Sequence, residues 1–564
     1  MQLSSRSTNW IAVGIALAAA LLAFASVWND AIIIDEDPHI GAGYSYITQQ
    51  DMRLNPEHPP LAKDLAGLAL TPLGLNHDAF STPAWTRDIN GQWDFGRALI
   101  FNSGLSGQGN DADLITRVAK IPAILLFALT GLFIFYWARK EYGPKAGLIA
   151  ITLFLFSPTV MAHGRFVTTD IPAALGVVSA TYFFLRWLKD SSRKNFWWAA
   201  VFFGIALLMK FSTVLLGPFF ILLTLLYNWK AVWKTFVIML MGFVLVVWPV
   251  YAFHVWHYPP ERQHHDTEDL LRSFGNRTLA DPVVWASNKP LLRAPAQYGL
   301  GLLMVVQRSA GGNTVYFRGN VTTSAGPTYF PIVYFIKEPL SWFALLLIAL
   351  IAAFSKFKFQ KPNIKEHVTE IAMLLWLAIY WFTSIRSTLN IGVRHLMPIY
   401  PFIIILVSGQ VAQLRHRVAR WAVYILLACF TYANLSIFPY YLTYFNHVAG
   451  GPTGGYRWVV DSNLDWGQDL KRFGRWTQDN NIKKIEFDYF GWADQRYYLG
   501  DRFVWLTAGK YKSAEDFKAR NQTDGWLAVS ATFLQNEATK QYSWLANREP
   551  VTVIGNSIFV YRIQ

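Results

Sequence analysis

The chain has 564 residues, of which 53% are hydrophobic and 15% are charged, with a formal net charge of +14. Soluble domains carry about 25% charged residues, so this composition excludes an ordinary soluble domain and indicates an integral membrane protein. The positive charge does not indicate a nucleic-acid partner, because Lys and Arg fall in short clusters between apolar runs. The single cysteine excludes an intrachain disulfide and a cysteine-based metal site.

Eleven apolar stretches predict membrane spans. The first two are separated by a long polar loop at 29–113, in which residues 59–75 are apolar but too short and proline-rich to span, and predict a re-entrant or interfacial helix. A second long polar loop lies at 255–332. The predicted spans are 10–28, 114–137, 146–162, 171–187, 196–210, 212–228, 235–254, 333–354, 369–385, 396–413 and 421–439.

Basic clusters mark one side of this predicted bundle, the side that also carries Arg6. The positive-inside rule assigns that side to the cytoplasm. The two long loops and the C-terminal tail then lie outside, which predicts the periplasmic face of a bacterial inner membrane. The clusters are Arg139/Lys140/Lys145, Arg186/Lys189/Arg193/Lys194, Lys230/Lys234, Lys356/Lys358/Lys361/Lys365 and Arg415/Arg417/Arg420.

The tail differs in character from the rest of the chain, because it lacks long apolar runs. Strand-like segments at 484–489, 502–506, 525–530 and 551–562 alternate with helical stretches near 466–478 and 513–520. We therefore predict two regions. Residues 1–439 form a transmembrane domain with periplasmic loops at 29–113 and 255–332, and residues 440–564 form a small periplasmic α/β domain.

Ionisable residues are concentrated in five outer segments. The richest is IDEDPHIGAGYSYITQQDMRLNPEHPPLAK at 34–63, and the others are residues 163–170, Lys210, residues 337–339 and residues 390–395. A single such group is as often a helix cap or a snorkelling charge as part of a site. Five segments on one face predict that carboxylates and cations meet in one outer cavity. Cations suit an anion such as phosphate, and a carboxylate suits general-base chemistry.

Several blocks of sequence resemble a known family. DEDPHIGAGYSYI followed by NPEHPPLAK resembles the first outer loop of the protein O-mannosyltransferases and of related bacterial membrane glycosyltransferases of the GT-C type. HGRFVTTDIP, LNIGVRHLMPIYPF and YFNHVAGGPTGGYRWVVDSNLDWGQDL resemble further blocks of a bacterial branch, and the likeness to the lipid A aminoarabinose transferase is more distant. The resemblance implies an α-helical polytopic membrane protein of the GT-C fold, with about 11 transmembrane helices and the small C-terminal α/β domain.

The resemblance also implies a chemistry. An inverting glycosyltransferase would take a sugar from a polyprenyl phosphate or diphosphate, with Asp35 as the general base for an acceptor hydroxyl. Glu36 and Asp170 would orient the base or the substrate. The mannosyltransferase motif has no equivalent of Asp37, so either Asp35 or Asp37 could be the inward carboxylate. The implied substrate-binding residues are His39, His58, Lys63, Arg165, Lys210, Lys337, Arg394 and His395. For the two loop histidines, ordering of the loop is the favoured alternative.

The expected partners are a polyprenyl-linked sugar donor, a lipid, glycan or protein acceptor, and the membrane lipids. No metal site is predicted, and a divalent cation is the one cofactor to consider. A transporter or flippase remains an alternative, although ionisable residues are rare at the midplane of the spans and no paired broken helices occur in matching halves. A binding or scaffold protein built around the tail is a further alternative. The block DSNLDWGQD, residues 461–469, has no assigned role, and we interpret it as a helix start that faces the site.

Overall fold

The computed structural model describes residues 5–105, 109–356, 364–535 and 541–564 of the chain. Seven helical stretches in these ranges are long and apolar enough to cross a membrane, or nine if two bent pairs each count as one span. The predicted fold class, an α-helical multi-span membrane protein with a small sheet near its C-terminus, is confirmed. The seven stretches are Arg6–Ser26, Ala112–Tyr142, Asp170–Lys189, Phe211–His254, Val368–Arg386, Val393–Ala412 and Arg417–Ser436.

The bent pairs owe their shape to proline. Pro144–Leu155 and Pro158–Gly164 meet at 65°, and Tyr329–Lys337 and Leu340–Ser355 meet at 108°. At each bend, the residue before a proline has an extended backbone conformation, with ψ of 124° at Ser157 and 149° at Glu338. A proline ring disfavours the helical conformation in the residue that precedes it.

The longest stretch, Phe211–His254, contains two antiparallel passes. Thr224 Oγ1 and Thr235 Oγ1 are 2.9 Å apart, whereas eleven residues of straight α-helix would separate them by about 16 Å. The helix Arg193–Leu207, which is shorter than the other spans, lies close to the second pass. Each of the eleven predicted spans therefore falls on helical segments, while the number of membrane crossings stays a prediction.

The first long loop is itself helical. Its helices are Glu36–Gln49, Leu61–Leu70, Pro83–Thr86 and Gln92–Phe101. The first two pack together through glycines, because a Cβ atom on Gly43 would overlap the Lys63 carbonyl and one on Gly67 would overlap the Gly43 carbonyl. The helix Leu61–Leu70 lies within the apolar stretch predicted at 59–75, and its relation to the membrane stays a prediction.

The second long loop contributes three helices and a two-stranded ladder. The helices are Pro260–Leu270, Arg277–Ala286 and Arg293–Gly311, and the strands Val315–Phe317 and Asn320–Thr322 pair antiparallel. Phe317 also forms a bridge with Val459 of the tail. The second loop therefore reaches the tail directly.

The tail holds a five-stranded mixed sheet, in the order Phe503–Trp505, Ile485–Asp488, Trp526–Ser530, Ile558–Arg562 and Thr552–Ile554. The first three strands are parallel and the last two are antiparallel to their neighbours. The stretch predicted as one strand at 551–562 is a hairpin, because Gly555 and Asn556 adopt positive φ values of 58° and 62° and turn the chain. Helices Leu470–Asp479 and Ala514–Arg520 lie in the two predicted helical stretches. The division of the chain at residue 440 stays a prediction.

The first loop and the tail meet on one side of the bundle. The Ala31 amide donates to the Gln468 carbonyl at 2.9 Å, and the Ile34 amide donates to the Trp466 carbonyl at 3.0 Å. Two segments on the same side of a membrane are separated by an even number of crossings. The contact agrees with the odd number of crossings that the sequence predicts, and that number stays a prediction.

The basic clusters predict that this shared side is periplasmic; of the cluster that begins at Lys356, Lys358 and Lys361 lie outside the described residues. Alkaline phosphatase, which requires disulfides and so folds only outside the cytoplasm, should be active when fused after Gln564 and inactive when fused near Lys361. Fluorescent-protein fusions at the same positions give the complementary control. The opposite pattern would reverse the orientation.

Candidate active site

A cavity of about 520 Å³ opens where the two long loops, the ends of several helices and the tail meet. Its wall combines charged, polar and aromatic side chains. Of the predicted site residues, those that line it are Asp35, His39, His58, Lys210, Arg394 and His395. Residues that the sequence did not predict also line it, among them Glu57, Trp93, Arg308, Asp461, Trp466 and Trp492.

A chain of four charged side chains crosses the cavity wall. Arg394 Nη1 lies 2.5 Å from Asp35 Oδ2 and 3.7 Å from Asp170 Oδ2. Lys210 Nζ lies 2.5 Å from the other oxygen of Asp170. Two carboxylates and two cations from four separate segments are thus brought together, as the sequence predicts for its outer face.

The four side chains differ in how far they reach the cavity. The exposed fractions are 20% for Asp35, 13% for Lys210 and 11% for Arg394, but only 1% for Asp170. Asp35 and the two cations can therefore contact a ligand. Asp170 is buried and pairs with both cations, so it positions them and does not itself reach the cavity.

Arg394 is fixed by the block that had no predicted role. Its guanidinium carbon lies 4.3 Å from the centre of the Trp466 ring, within the range of a cation–π contact. Asn463 Oδ1 accepts a hydrogen bond from the Val393 amide at 2.9 Å, and Ser462 Oγ donates to the Ile391 carbonyl. The block at 461–469 therefore braces the segment that carries Arg394.

Two histidines of the first loop line the cavity in neutral form. His39 Nδ1 donates to the Val167 carbonyl at 2.8 Å, and the rings of His39 and His58 meet edge to face with centres 5.0 Å apart. Burial lowers the pKa of His39 and lowers the pKa of His58 further. At neutral pH they offer hydrogen bonds rather than positive charge.

Glu36 lies outside the cavity lining. Its carboxylate is fully buried, accepts hydrogen bonds from the amides of Ile33 at 3.0 Å and Val167 at 2.9 Å, and pairs with Lys120 at 3.2 Å. These contacts join the start of the first-loop helix to a span. Its predicted catalytic role stays untested, and its contacts are those of a structural ion pair.

Three of the predicted cations also lie outside the lining. Lys63 donates to Tyr46 Oη, to Asn55 twice and to the His58 carbonyl, at 2.7–3.0 Å, and burial lowers its pKa to about 7. Three N–H donors facing four protein acceptors leave nothing for an anion.

Arg165 and Lys337 also have protein partners. Arg165 pairs with Asp30 at 2.8 Å. Lys337 donates to the carbonyls of Leu442 at 2.8 Å and Asn463 at 2.7 Å. Both side chains hold segments of the outer face together.

The alternative carboxylate, Asp37, is also buried away from the cavity. Its backbone packs against Gly96, where a Cβ atom would overlap the Asp37 side chain and carbonyl. Burial raises the pKa of the Asp37 carboxyl well above its usual range, because desolvation disfavours the charged form. Of the two alternative carboxylates, only Asp35 lines the cavity.

A further carboxyl, Asp461, lines the cavity. Burial raises its pKa to about 6, although the nearby Arg394 opposes the shift. Within the described ranges, no group of three or more His, Cys, Asp or Glu side chains is placed to hold a metal ion.

The sequence carries only weak signals for the lining residues that it did not predict. Asp461 and Trp466 belong to the block DSNLDWGQD, which the sequence predicts to face the site but to which it assigns no role. Trp93 and Trp492 are two of 24 tryptophans, and tryptophans near span ends are typical interfacial anchors. Only the fold distinguishes the tryptophans that face the cavity.

Comparison with known proteins gives one match to a family and several to folds. A family model described as dolichyl-phosphate-mannose-protein mannosyltransferase matches residues 115–256. No curated protein matches the chain in sequence. The fold is similar to that of the S. cerevisiae protein O-mannosyltransferase Pmt1–Pmt2 complex bound to the sugar donor, with a TM-score of 0.52 and 11% identity over 78% of this chain and 90% of that one.

Two further solved structures match with lower scores, which carry no argument of their own. The archaeal oligosaccharyltransferase AglB from Archaeoglobus fulgidus, in complex with an inhibitory peptide and a dolichol-phosphate, has a TM-score of 0.45 and 11% identity over 94% of this chain and 72% of that one. ArnT from Cupriavidus metallidurans, bound to undecaprenyl phosphate, has a TM-score of 0.30 and 13% identity over 98% of both chains.

Substitutions in the buried pair of Glu36 and Lys120 test whether Glu36 stabilises the fold or takes part in catalysis. Lys120→Met should destabilise the fold by about 3–5 kcal/mol, because a buried carboxylate loses its partner. The double variant Glu36→Gln/Lys120→Met removes both charges and should recover most of that loss in thermal unfolding of the solubilised protein. A Glu36→Gln variant that keeps its stability but loses all turnover would place Glu36 in the chemistry instead.

Proposed function

We propose that the chain is a membrane glycosyltransferase of the GT-C type that transfers a sugar from a polyprenyl-phosphate or diphosphate donor to an acceptor hydroxyl, with inversion. The family model that matches residues 115–256 and the similarity of the fold support this proposal. The observation that carries this proposal is the meeting of one accessible carboxylate, Asp35, with two accessible cations, Lys210 and Arg394, in a single cavity. The proposed reaction requires a base that takes the proton of the acceptor hydroxyl and cations that stabilise the leaving phosphate. The carboxylate and the two cations can supply both functions in one cavity.

The proposed reaction balances in one displacement. Asp35 takes the proton of the acceptor hydroxyl as its oxygen forms a bond to the anomeric carbon of the donor sugar. The bond from that carbon to the phosphate oxygen breaks on the opposite face, and the lipid phosphate leaves with the bonding pair. Attack from the face opposite the leaving group inverts the anomeric centre.

Arg394 has a second task in this proposal. Its Nη1 atom lies 2.5 Å from Asp35 Oδ2 and pairs with that carboxylate. An arriving phosphate would share the planar guanidinium, which offers several N–H donors in a fixed fork. Lys210 and the exposed Arg308, which also line the cavity, add positive charge for the same anion.

An apolar groove supports a lipid-linked donor. The groove has a volume of about 430 Å³ and an almost wholly apolar lining that includes Leu207, Val214 and Leu302. It shares two elements with the charged cavity. Val214 lies three residues after the cavity residue Phe211 in the short helix Phe211–Leu215, and Leu302 lies six residues before Arg308 in the helix Arg293–Gly311. A polyprenyl chain in the groove would therefore deliver its phosphate to the cavity. The site would lie on the periplasmic face of the inner membrane.

Asp35→Asn is the direct test of the base. The substitution keeps the shape of the side chain and removes its basicity, so turnover should fall by about 10²–10⁴, the typical contribution of a positioned base. Donor binding should stay nearly unchanged, because it depends on the cations. The measurement is release of lipid phosphate from a polyprenyl-linked sugar, beside donor affinity.

Asp37→Asn is the matched control, because the same chemical change is made two residues away and outside the cavity lining. Turnover of this variant should stay within a few-fold of the wild type. If Asp37→Asn loses turnover while Asp35→Asn keeps near-normal turnover, then Asp37 is the base and our assignment of Asp35 is wrong. Full activity in both variants would remove this loop from the chemistry.

Arg394 provides the test of the anion site. Arg394→Ala should weaken donor affinity by about ten- to hundredfold, the value of one or two charged hydrogen bonds. Arg394→Lys keeps the charge that Asp35 and Asp170 require, and should remain folded but still bind the donor less tightly, because an ammonium cannot reproduce the fork. Melting temperatures control for unfolding. Unchanged donor affinity in both variants would exclude Arg394 from the phosphate site.

A further inference from the structure

One wall of the cavity is aromatic. Trp93 and Trp492 both line it, and their rings stack with centres 5.1 Å apart and planes 25° from parallel. Phe490, two residues before Trp492 in the chain, also lines the cavity. Both tryptophans are half-buried, so their indoles cover each other in part and leave aromatic surface towards the cavity.

The tryptophan pair joins the first loop to the tail. Trp93 lies on the helix Gln92–Phe101, and Trp492 lies between the strand Ile485–Asp488 and the helix Gln495–Leu499. Arg97 and Asp494 form an ion pair at 3.5 Å, and Ser103 Oγ also donates to Asp494. These contacts position the two rings independently of the stacking itself.

Hydrogen-bonding groups lie in the wall near this pair. Gln92, the neighbour of Trp93, donates through Nε2 to Glu57 Oε1 at 2.6 Å, and both residues line the cavity. Asn313 and Thr314 of the second long loop line it as well. A pyranose ring has an apolar C–H face and a rim of hydroxyls. An aromatic surface with carboxylate and amide groups close by is complementary to both features.

We infer, resting on the proposed function, that the acceptor is a carbohydrate whose pyranose ring stacks on the Trp93–Trp492 pair. The position of the pair favours the acceptor over the donor sugar. Lys210 and most of the groove lining belong to the predicted spans and their ends, and the rest of the groove comes from the helix Arg293–Gly311. The two tryptophans come instead from the first loop and the tail. A lipid-linked donor approaches from the membrane, and the acceptor ring stacks on the tryptophan pair with a hydroxyl directed to Asp35.

Binding without donor is the first arm of the test. The full chain in nanodiscs is titrated with methyl α- and β-glycosides of glucose, galactose, mannose and N-acetylglucosamine, and with a hexapeptide containing Ser and Thr, by saturation-transfer difference NMR. We expect saturable binding of at least one glycoside and none of the peptide. Trp492→Ala should weaken that binding about tenfold or more, and Trp492→Phe, which keeps an aromatic face, should weaken it less.

Trp505→Ala is the matched control, because Trp505 is a 63% exposed tryptophan in the sheet of the tail and does not line the cavity. It should leave glycoside affinity unchanged. Equal glycoside affinity in the wild type and in both Trp492 variants would overturn the inference. Saturable binding of the peptide with no binding of any glycoside would also overturn it.

Turnover with a lipid-linked sugar is the second arm. Trp492→Ala should raise the KM for the glycoside about tenfold or more, with kcat and the KM for the donor unchanged. A rise in the donor KM alone would assign the tryptophan pair to the donor sugar and overturn the inference. Absence of wild-type turnover with every lipid-linked donor would count against the proposed function, and the binding arm would then decide the inference by itself.

Discussion

The ion pair between Asp35 and Arg394 is the contact around which the charged cavity is arranged. It joins residues 359 positions apart in the chain, and each partner ties in a further segment. Arg394 rests on Trp466 and lies near Asp170, which in turn holds Lys210. A charge that is partly removed from water requires a partner. The pair therefore connects the first loop, two helix ends and the tail at the cavity.

The ionisable residues around the cavity fall into two groups, which differ in how far they are buried. Four buried ionisable side chains are paired with other protein groups and connect segments: Glu36, Lys63, Arg165 and Lys337. Asp35, Lys210 and Arg394 also have partners, yet they keep part of their surface in the cavity. The same residue types therefore serve structure in one place and can serve a ligand in another. The difference is access to the cavity rather than charge.

The enzyme class predicted from the sequence, a glycosyltransferase, is confirmed by the family match, and the fold agrees with it. The transporter alternative has no comparable support. A charged cavity and an apolar groove share two structural elements, which suits an amphiphilic donor with a phosphate at the end of a hydrocarbon chain. The stacked tryptophans add a third surface of different chemistry, on the wall formed by the outer loop and the tail.

The sequence by itself determined the helical membrane fold, the sheet of the tail and the concentration of charge on one face. These features follow from local hydrophobicity and strand periodicity, which need no knowledge of distant contacts. It could not separate Asp35 from Asp37, or the accessible Arg394 from the enclosed Arg165, because burial depends on segments far away in the chain. It also did not reveal the stacking of Trp93 on Trp492. Only the tertiary structure decided which charged and aromatic groups face the cavity, since that depends on how the loops and the tail pack over the spans.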